Sequence, residues 1–331
     1  MSQTTTKKII VITGATGTQG SAVAHTFLPL PTWHVRIITR APSSPAAQAL
    51  AAAGAEVVHA DLSDLASLRA AFKDATALFL NTDFWGPYRA TRDSTAAYET
   101  EILHGRNAAI AAGEVASLKR VVYSTLPGMK ELSGGKYISS YHWDAKAEVA
   151  KILEREEELR GKVSFLVMGA YATNPLFLPR VNAAAGDEKR VLRFTIPGKK
   201  TLRMPIIAAE SSTGEFVRVM VEREGESESG KWVLGCDSYL SMEEVVDVWK
   251  RVTGWEVEVE EAELQEMHER FKLPWEVLDA PGFIAEFGYT GSLEVTMPEQ
   301  LGIRTKSFEE WLAGRNWEEM IIKAEAELAG I

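Results

Sequence analysis

His142 and Lys146 stand four residues apart in YHWDAKAEVAKIL, and both side chains can hold or pass on a proton. With residues 100 degrees apart on a helix, Asp144, Glu148, Lys151 and Arg155 share one arc, and Ala145, Val149, Ala150, Ile152 and Leu153 the opposite one. His142 and Lys146 fall within the apolar arc. A buried, unpaired ammonium is costly, so Lys146 is expected to have a fixed partner such as a ribose or a substrate oxygen. An imidazole with its ordinary pKa of about 6.5 is chemically able to serve as an acid near neutrality. Tyr123, Ser124, Tyr137, Tyr141 and Tyr171 are further hydroxyls near predicted strand ends, and Tyr123 and Tyr171 join Lys146 and His142 as catalytic candidates. Phe84, Trp85 and Trp143 nearby suit an apolar or aromatic substrate, although core packing is the expected role of Trp143.

A second constellation precedes this one. Ile9-Ile10-Val11-Ile12 reads as a central parallel strand, followed at once by Gly14, Gly17 and Gly20 and a helix that ends before Pro29 and Pro31. Gly14 permits the tight turn, Gly17 lets the backbone approach a pyrophosphate and Gly20 allows close helix packing, with phosphates resting on the helix N-terminus. Thr13, Thr16, Thr18 and Gln19 flank these glycines and are placed with them among the cofactor contacts. The next strand ends at Thr39-Arg40, offering no carboxylate for an adenosine 2'-hydroxyl but a planar donor fork for a 2'-phosphate. NADP(H) is therefore expected over NAD(H). Asp61 and Leu62 are expected beside the adenine, and Asn81, Thr82 and Phe84 on the nicotinamide side. Ser124, Lys146 and Asn174 complete the set.

The elements that position these residues alternate. Strands are predicted at Val35 to Thr39, Glu56 to His59, Ala77 to Leu80, Arg120 to Ser124 and Val163 to Met168. Helices are predicted from Pro45 to Ala53, from Asp64 to Lys73 behind a Ser63 cap, from about Arg92 to Ala112, and from about Tyr141 to Leu159. This rhythm predicts an α/β, Rossmann-type doubly wound parallel sheet. Beyond Gly169 the segments become irregular, with capping boxes at Ser241 to Glu244 and Ser307 to Glu310, a polar loop from Glu222 to Gly230 and an acidic outer face from Glu256 to Glu263. The expected division is a cofactor-binding domain over 1–169 and a smaller α+β substrate or partner domain over 170–331, some of whose segments return to the sheet.

Composition removes several classes of function. The chain has 331 residues, enough to bury about three quarters of its unfolded surface, and a formal charge of -10 with no basic cluster, which disfavours nucleic acid. Its single cysteine, Cys236, forms no internal disulfide and fits a reducing compartment. MSQTTTKK leads into the first strand rather than a signal peptide, and no apolar run reaches the ~18 residues of a membrane span. The cytoplasm, with the nucleus also open, is the expected location.

VITGATGTQG, FLNTDFWG, VVYSTLPGMKELSGGKY and YHWDAKAEVAKIL together resemble the NmrA-like family, atypical members of the short-chain dehydrogenase/reductase superfamily. The similarity runs from residue 7 to the C-terminus and is strongest up to about Asn174. It implies a Rossmann fold, NADP(H), and a small C-terminal domain that forms a cleft over the nicotinamide. Ordinary short-chain dehydrogenases use Tyr-x-x-x-Lys, whereas this chain has His142 in the tyrosine position. Three functions follow as expectations: reduction of a C=O, C=N or conjugated C=C bond of a small, aromatic or apolar organic molecule in specialised metabolism; redox sensing coupled to a protein partner; or non-redox cyclisation or condensation around a retained cofactor.

Overall fold

The computed structural model describes residues 7–182, 191–223 and 230–322. Six strands lead the chain: β1 (Lys8–Ile12), β2 (Trp33–Thr39), β3 (Glu56–His59), β4 (Ala77–Leu80), β5 (Arg120–Thr125) and β6 (Val163–Met168). They join one parallel sheet with a seventh strand from much later in the chain, β11 (Trp232–Gly235), in the order β11-β6-β5-β4-β1-β2-β3. The direction of winding reverses between β1 and β4, and such switch points open a crevice at the carboxyl ends of the strands. β4 and β6 are buried at every position, as expected of strands covered on both faces. Each fully buried Val, Leu, Ile or Phe contributes about 1.5–3 kcal/mol.

Helices α1 (Thr18–Phe27), α2 (Pro45–Ala52), α3 (Leu65–Phe72), α4 (Trp85–Thr91), α5 (Ser94–Gly113), α6 (Met129–Leu132) and α7 (Tyr141–Arg155) cover the sheet. Several boundaries differ from the sequence expectation for local reasons. Asp64, not Ser63, caps α3 by accepting from Ala66 N, while Ser63 donates its N–H and hydroxyl to Asp61 at 2.8 Å each. Asp93 caps α5, which therefore starts at Ser94. The short helix α4 was not expected, because Gly86 and Pro87 argue against a helix; both fall in its first turn, where no i−4 bond is lost. α7 stops at Arg155, and the stretch to Leu159 ends as a separate 3-10 turn, Glu157–Leu159.

The rest of the chain adds β7 (Ala170–Tyr171), β8 (Arg180–Asn182), β9 (Val191–Pro197), β10 (Arg203–Ile207), β11 (Trp232–Gly235), β12 (Ser238–Ser241) and β13 (Glu256–Ala262). It also adds helices α8 (Ala209–Glu222), α9 (Met242–Thr253), α10 (Leu264–Phe271), α11 (Trp275–Phe287) and α12 (Phe308–Ala313). The chain also forms two small sheets, β12-β10-β7 and β13-β9-β8, of which β7, β9 and β10 bring Tyr171, Ile196 and Met204 to the cleft described below. β11 is the edge strand of the large sheet, pairing Trp232 to Gly235 with Phe165 to Met168. α8 lies against α1 at Gly214, where a Cβ would overlap Thr26 Oγ1 and the Ala22 carbonyl. Both predicted capping boxes form, at Ser241/Glu244 and Ser307/Glu310. The acidic edge of β13 pairs outward with Arg193 and Lys199. The polar 222–230 loop lies mostly outside the described residues. Among those residues no helix is long and apolar enough to cross a membrane, and no group of three or more His, Cys, Asp or Glu side chains is arranged to hold a metal ion.

Candidate active site

The turn after β1 is built by backbone constraint. Gly14 has φ +61°, a left-handed conformation that favours glycine, and a Cβ on Gly20 would overlap the Gly14 carbonyl. Gly17 is the N-cap of α1 and offers no side-chain cap, so the first N–H groups of the helix are free to receive an anion. Thr13 is consumed structurally. Its hydroxyl donates to the Asn81 carbonyl at 3.0 Å and accepts from Asn81 N at 2.7 Å, joining the ends of β1 and β4 across the switch point.

A cleft of about 1490 Å³ runs from this turn along the carboxyl ends of the strands. At one end stand Arg40, Asp61, Leu62 and His104. Burial raises the carboxyl pKa of Asp61, but hydrogen bonds from Ser63 and the charges of Arg40 and His104 outweigh it and hold the group below the usual carboxylate range. Burial lowers the pKa of His104.

At the other end Lys146 has its fixed partner inside the protein. Lys146 Nζ donates to the Thr82 carbonyl at 2.9 Å and to Glu101 Oε1 at 2.9 Å. The Thr82 hydroxyl donates to the same Glu101 oxygen at 2.5 Å and lies 3.1 Å from the Tyr123 hydroxyl. The lysine side chain is 14% exposed and that of Glu101 0%. Two helices bring the pair together: Gly105, one turn after Glu101 on α5, packs directly against Val149 of α7, which lies three residues after Lys146, leaving no room for a Cβ. The third N–H makes only a long contact, to the Thr82 hydroxyl at 3.4 Å, and is the one a ligand in the cleft could take over.

His142 sits in an aromatic wall. Its ring lies 4.8 Å from Trp85 and 5.9 Å from Phe84, and Tyr88 stacks on Phe84 at 5.7 Å. Burial and the neighbouring Lys146 charge hold its pKa at about 3, so the imidazole is neutral near physiological pH. A low pKa argues against an imidazolium acid at that position, while the neutral ring keeps one N–H and one lone pair and can donate or accept a hydrogen bond. Tyr171 accepts from Gln19 Nε2 at 2.7 Å, which leaves its own O–H free to donate, and burial raises its pKa.

The third side of the cleft comes from α11, which presents Val277, Ala280, Pro281 and Ile284, with Met204, Met242 and Tyr289 adjoining. Its other edge is tied to the sheet-bearing half: Ser140 Oγ donates to the Glu276 carbonyl at 3.0 Å, Ser139 N to Asp279 at 2.6 Å and Tyr137 Oη to Glu286 at 2.6 Å.

The structure thus gathers Thr13, Gly14, Thr16, Gly17, Thr18, Gln19, Arg40, Asp61, Leu62, Asn81, Thr82, Phe84, Ser124, His142, Lys146, Tyr171 and Asn174 around one cleft. It does not bring Tyr123 there: that side chain is 0% exposed and its hydroxyl meets Thr82 beneath Lys146, so it is a core group rather than a proton donor. Gly20 acts through packing and does not line the cleft. Tyr137 and Tyr141 also stand off it, Tyr137 on Glu286 and Tyr141 edge-on to Tyr98. Sequence reasoning missed Glu101, His104 and the α11 wall. The spacing of Ala97, Glu101 and Gly105, each four apart, does put that carboxylate on a small-residue helix face, a signal that could have found it. Four cleft residues carry buried side-chain atoms without a partner among the described residues: Gln19 Oε1, His104 Nδ1, Ser124 Oγ and His142 Nδ1. Buried polar groups are normally satisfied, so these atoms fit a polar ligand along the cleft.

The sequence profile of the NmrA-like family matches residues 6–312. An NmrA-like family domain-containing oxidoreductase of Aspergillus hancockii is 31% identical over 281 residues, 81% of this chain and 79% of its own length. In fold, the chain is similar to NmrA, a negative transcriptional regulator solved in complex with NADP, at TM-score 0.72 and 17% identity over 98% of both chains. It is also similar to the NADPH-dependent quinone oxidoreductase of Escherichia coli, solved with NADPH, at TM-score 0.68 and 21% identity over 92% of this chain and 98% of that one. Glycine turn, seven-stranded sheet and near full-length profile agree, and the chain belongs to the NmrA-like family.

Proposed function

We propose that this protein is an NADP(H)-dependent oxidoreductase acting on a small, apolar or aromatic organic molecule. The observation that carries the reading is the continuity of the cleft from the glycine turn and Arg40 to an apolar wall. At about 1490 Å³ it exceeds the roughly 300–1,000 Å³ of a single-ligand pocket, leaving room for a dinucleotide and a second molecule. A bound nicotinamide would supply or accept a hydride at the Lys146 end. The N–H groups opening α1 would hold the pyrophosphate, and Arg40 would grip a 2'-phosphate with two N–H groups. Lys146, oriented by Glu101 and the Thr82 carbonyl, would turn to the cleft the N–H that makes only the 3.4 Å contact with the Thr82 hydroxyl, and Ser124 and Tyr171 would orient a polar atom of the substrate. Residues 1–169 then serve the cofactor and 170–331 shape the substrate side, with α8 and β11 returned to the sheet. The NADP and NADPH bound to the fold relatives and the oxidoreductase naming of the Aspergillus relative support the same assignment.

The test is to incubate the protein with NADPH carrying deuterium at either face of nicotinamide C4, together with a small-molecule extract, and to follow products by mass spectrometry. One deuterium transferred from one form only is the expected result. Conversion without deuterium would replace hydride transfer by non-redox chemistry, and tight NADPH binding with no conversion would favour a sensor.

A further inference from the structure

His142, Lys146 and Tyr171 turn hydrogen-bond donors toward the cleft. His142 Nδ1 is buried and has no partner among the described residues, whereas Nε2 is neither buried in this way nor hydrogen-bonded, so it is the ring nitrogen open to the cleft. A buried N–H without a partner is rarer than a buried lone pair without one, which puts the single proton of the neutral ring on Nε2. This N–H stands one helical turn from Lys146, whose long contact to the Thr82 hydroxyl at 3.4 Å is the one a ligand could take over. The Lys146 charge that helps to keep the ring neutral also favours negative charge on whatever the two donors hold. The Tyr171 oxygen already accepts from Gln19, so its O–H is a third donor. None of the three parts with its proton easily. A neutral imidazole N–H polarises an oxygen without protonating it. Loss of a proton from Lys146 would leave the fully buried Glu101 carboxylate without its cation, and burial raises the pKa of Tyr171.

We infer that the hydride acceptor is a C=C bond conjugated to a carbonyl, and that His142 Nε2–H and Lys146 hold the carbonyl oxygen while it carries the enolate charge. This rests on the oxidoreductase reading above. The β-carbon gains the hydride and forms a C–H bond, and the nicotinamide is left oxidised. The C=C π pair becomes a double bond between the α-carbon and the carbonyl carbon, and the carbonyl π pair moves to oxygen. Water then protonates the α-carbon, the carbonyl re-forms, and hydroxide is released to solvent. An isolated ketone would instead yield an alkoxide, a much stronger base that calls for an acid in place as the hydride arrives. The histidine in the Tyr-x-x-x-Lys position thereby acquires a reason: an enolate needs donors that hold it and can dispense with a phenol that protonates it.

The experiment has a binding arm and a turnover arm, both on the full chain. With NADP+ saturating, 4-nitrophenol and its neutral methyl ether 4-nitroanisole are titrated, and the visible phenolate band reports the ionised form. The phenol should bind as its anion, about tenfold or more tighter than the ether, as hydrogen bonds to a charged group allow. His142→Leu should remove about tenfold of that preference, and His142→Gln, which restores an N–H donor, should retain most of it. In turnover, 4-phenyl-3-buten-2-one offers both a conjugated C=C and a C=O. The expected product with C4-deuterated NADPH is 4-phenyl-2-butanone with one deuterium on the carbon bearing the phenyl ring. With ordinary NADPH in deuterium oxide the label should appear on the neighbouring carbon. Equal binding of phenol and ether, or a phenolate preference that His142→Leu leaves intact, would overturn the inference; the comparison of phenol with ether and the identity of the product need no variant to fold. Formation of 4-phenyl-3-buten-2-ol would overturn it and leave the oxidoreductase reading standing. An enone that is not reduced would also overturn it, and the extract experiment above then decides the oxidoreductase reading on its own.

Discussion

The Lys146–Glu101 pair makes the sharpest stability prediction. Glu101 Oε1 receives both Lys146 Nζ at 2.9 Å and the Thr82 hydroxyl at 2.5 Å, and its side chain is 0% exposed. Lys146→Met removes the only cation that touches this carboxylate among the described residues and leaves the acid sealed in the core. Breaking a buried pair in this way costs about 3–5 kcal/mol. Glu101→Gln should cost less, about 1–3 kcal/mol, because an amide oxygen still accepts from both partners and Lys146, 14% exposed, can turn its charge toward the cleft. The double variant carries neither charge, so its cost should fall below the sum of the single costs by about 2 kcal/mol or more. Urea unfolding of the four proteins, followed by circular dichroism, yields this coupling directly. Additivity within about 0.5 kcal/mol, the behaviour of independent sites, would refute the pair and with it the orientation assigned to Lys146.

Arg40→Ala should weaken NADP+ by about ten- to a hundredfold while NAD+ changes little, as expected for a charge-assisted hydrogen bond to phosphate; equal loss of both nucleotides in a binding titration would remove the role given to Arg40. The His142 ring should stay neutral from about pH 8 to about pH 5, in line with its pKa near 3, and an imidazole NMR titration with a midpoint inside that range would contradict the burial argument. Asp144 is pushed up to about 6 by burial, only partly countered by the Lys130 and Met129 N–H groups. A carboxyl whose native pKa lies above its unfolded value of about 3.9 adds its full stability below that pH and loses it as pH rises through about 6, so Asp144→Asn should gain about 2 kcal/mol relative to the parent between pH 4 and pH 7. A stability difference that is flat with pH in urea titrations would count against it. Gly214→Ala should cost about 1–3 kcal/mol by forcing α8 off α1 at Thr26 and Ala22, and an unchanged urea midpoint would show that the two helices are not in close contact.

Much of the framework is local information. Apolar four- to six-residue runs identify β1 to β6, Gly14 and Gly20 mark positions that tolerate no Cβ, and the period of YHWDAKAEVAKIL puts His142 and Lys146 on the inward face before any neighbour is known. Arg40 at the end of β2 is likewise legible, because the fold places that strand end beside the adenosine ribose. What local pattern cannot carry is the identity of contacts made across long stretches of chain. Glu101 lies 45 residues from Lys146, and the pair exists only because Gly105 lets α5 and α7 approach. Trp232 to Gly235 complete the sheet although the strand they join ends at Met168, an edge pairing that no periodicity announces. The pKa of His142 depends on burial and on the charge of Lys146, so its type and spacing suggested an acid while its surroundings made it neutral. Strands, phosphate turn and inward helix faces follow from backbone preference and hydrophobic period, so they are legible along the chain. Which charges meet and how much water reaches them depends on long-range packing, and those two quantities set the chemistry of the cleft.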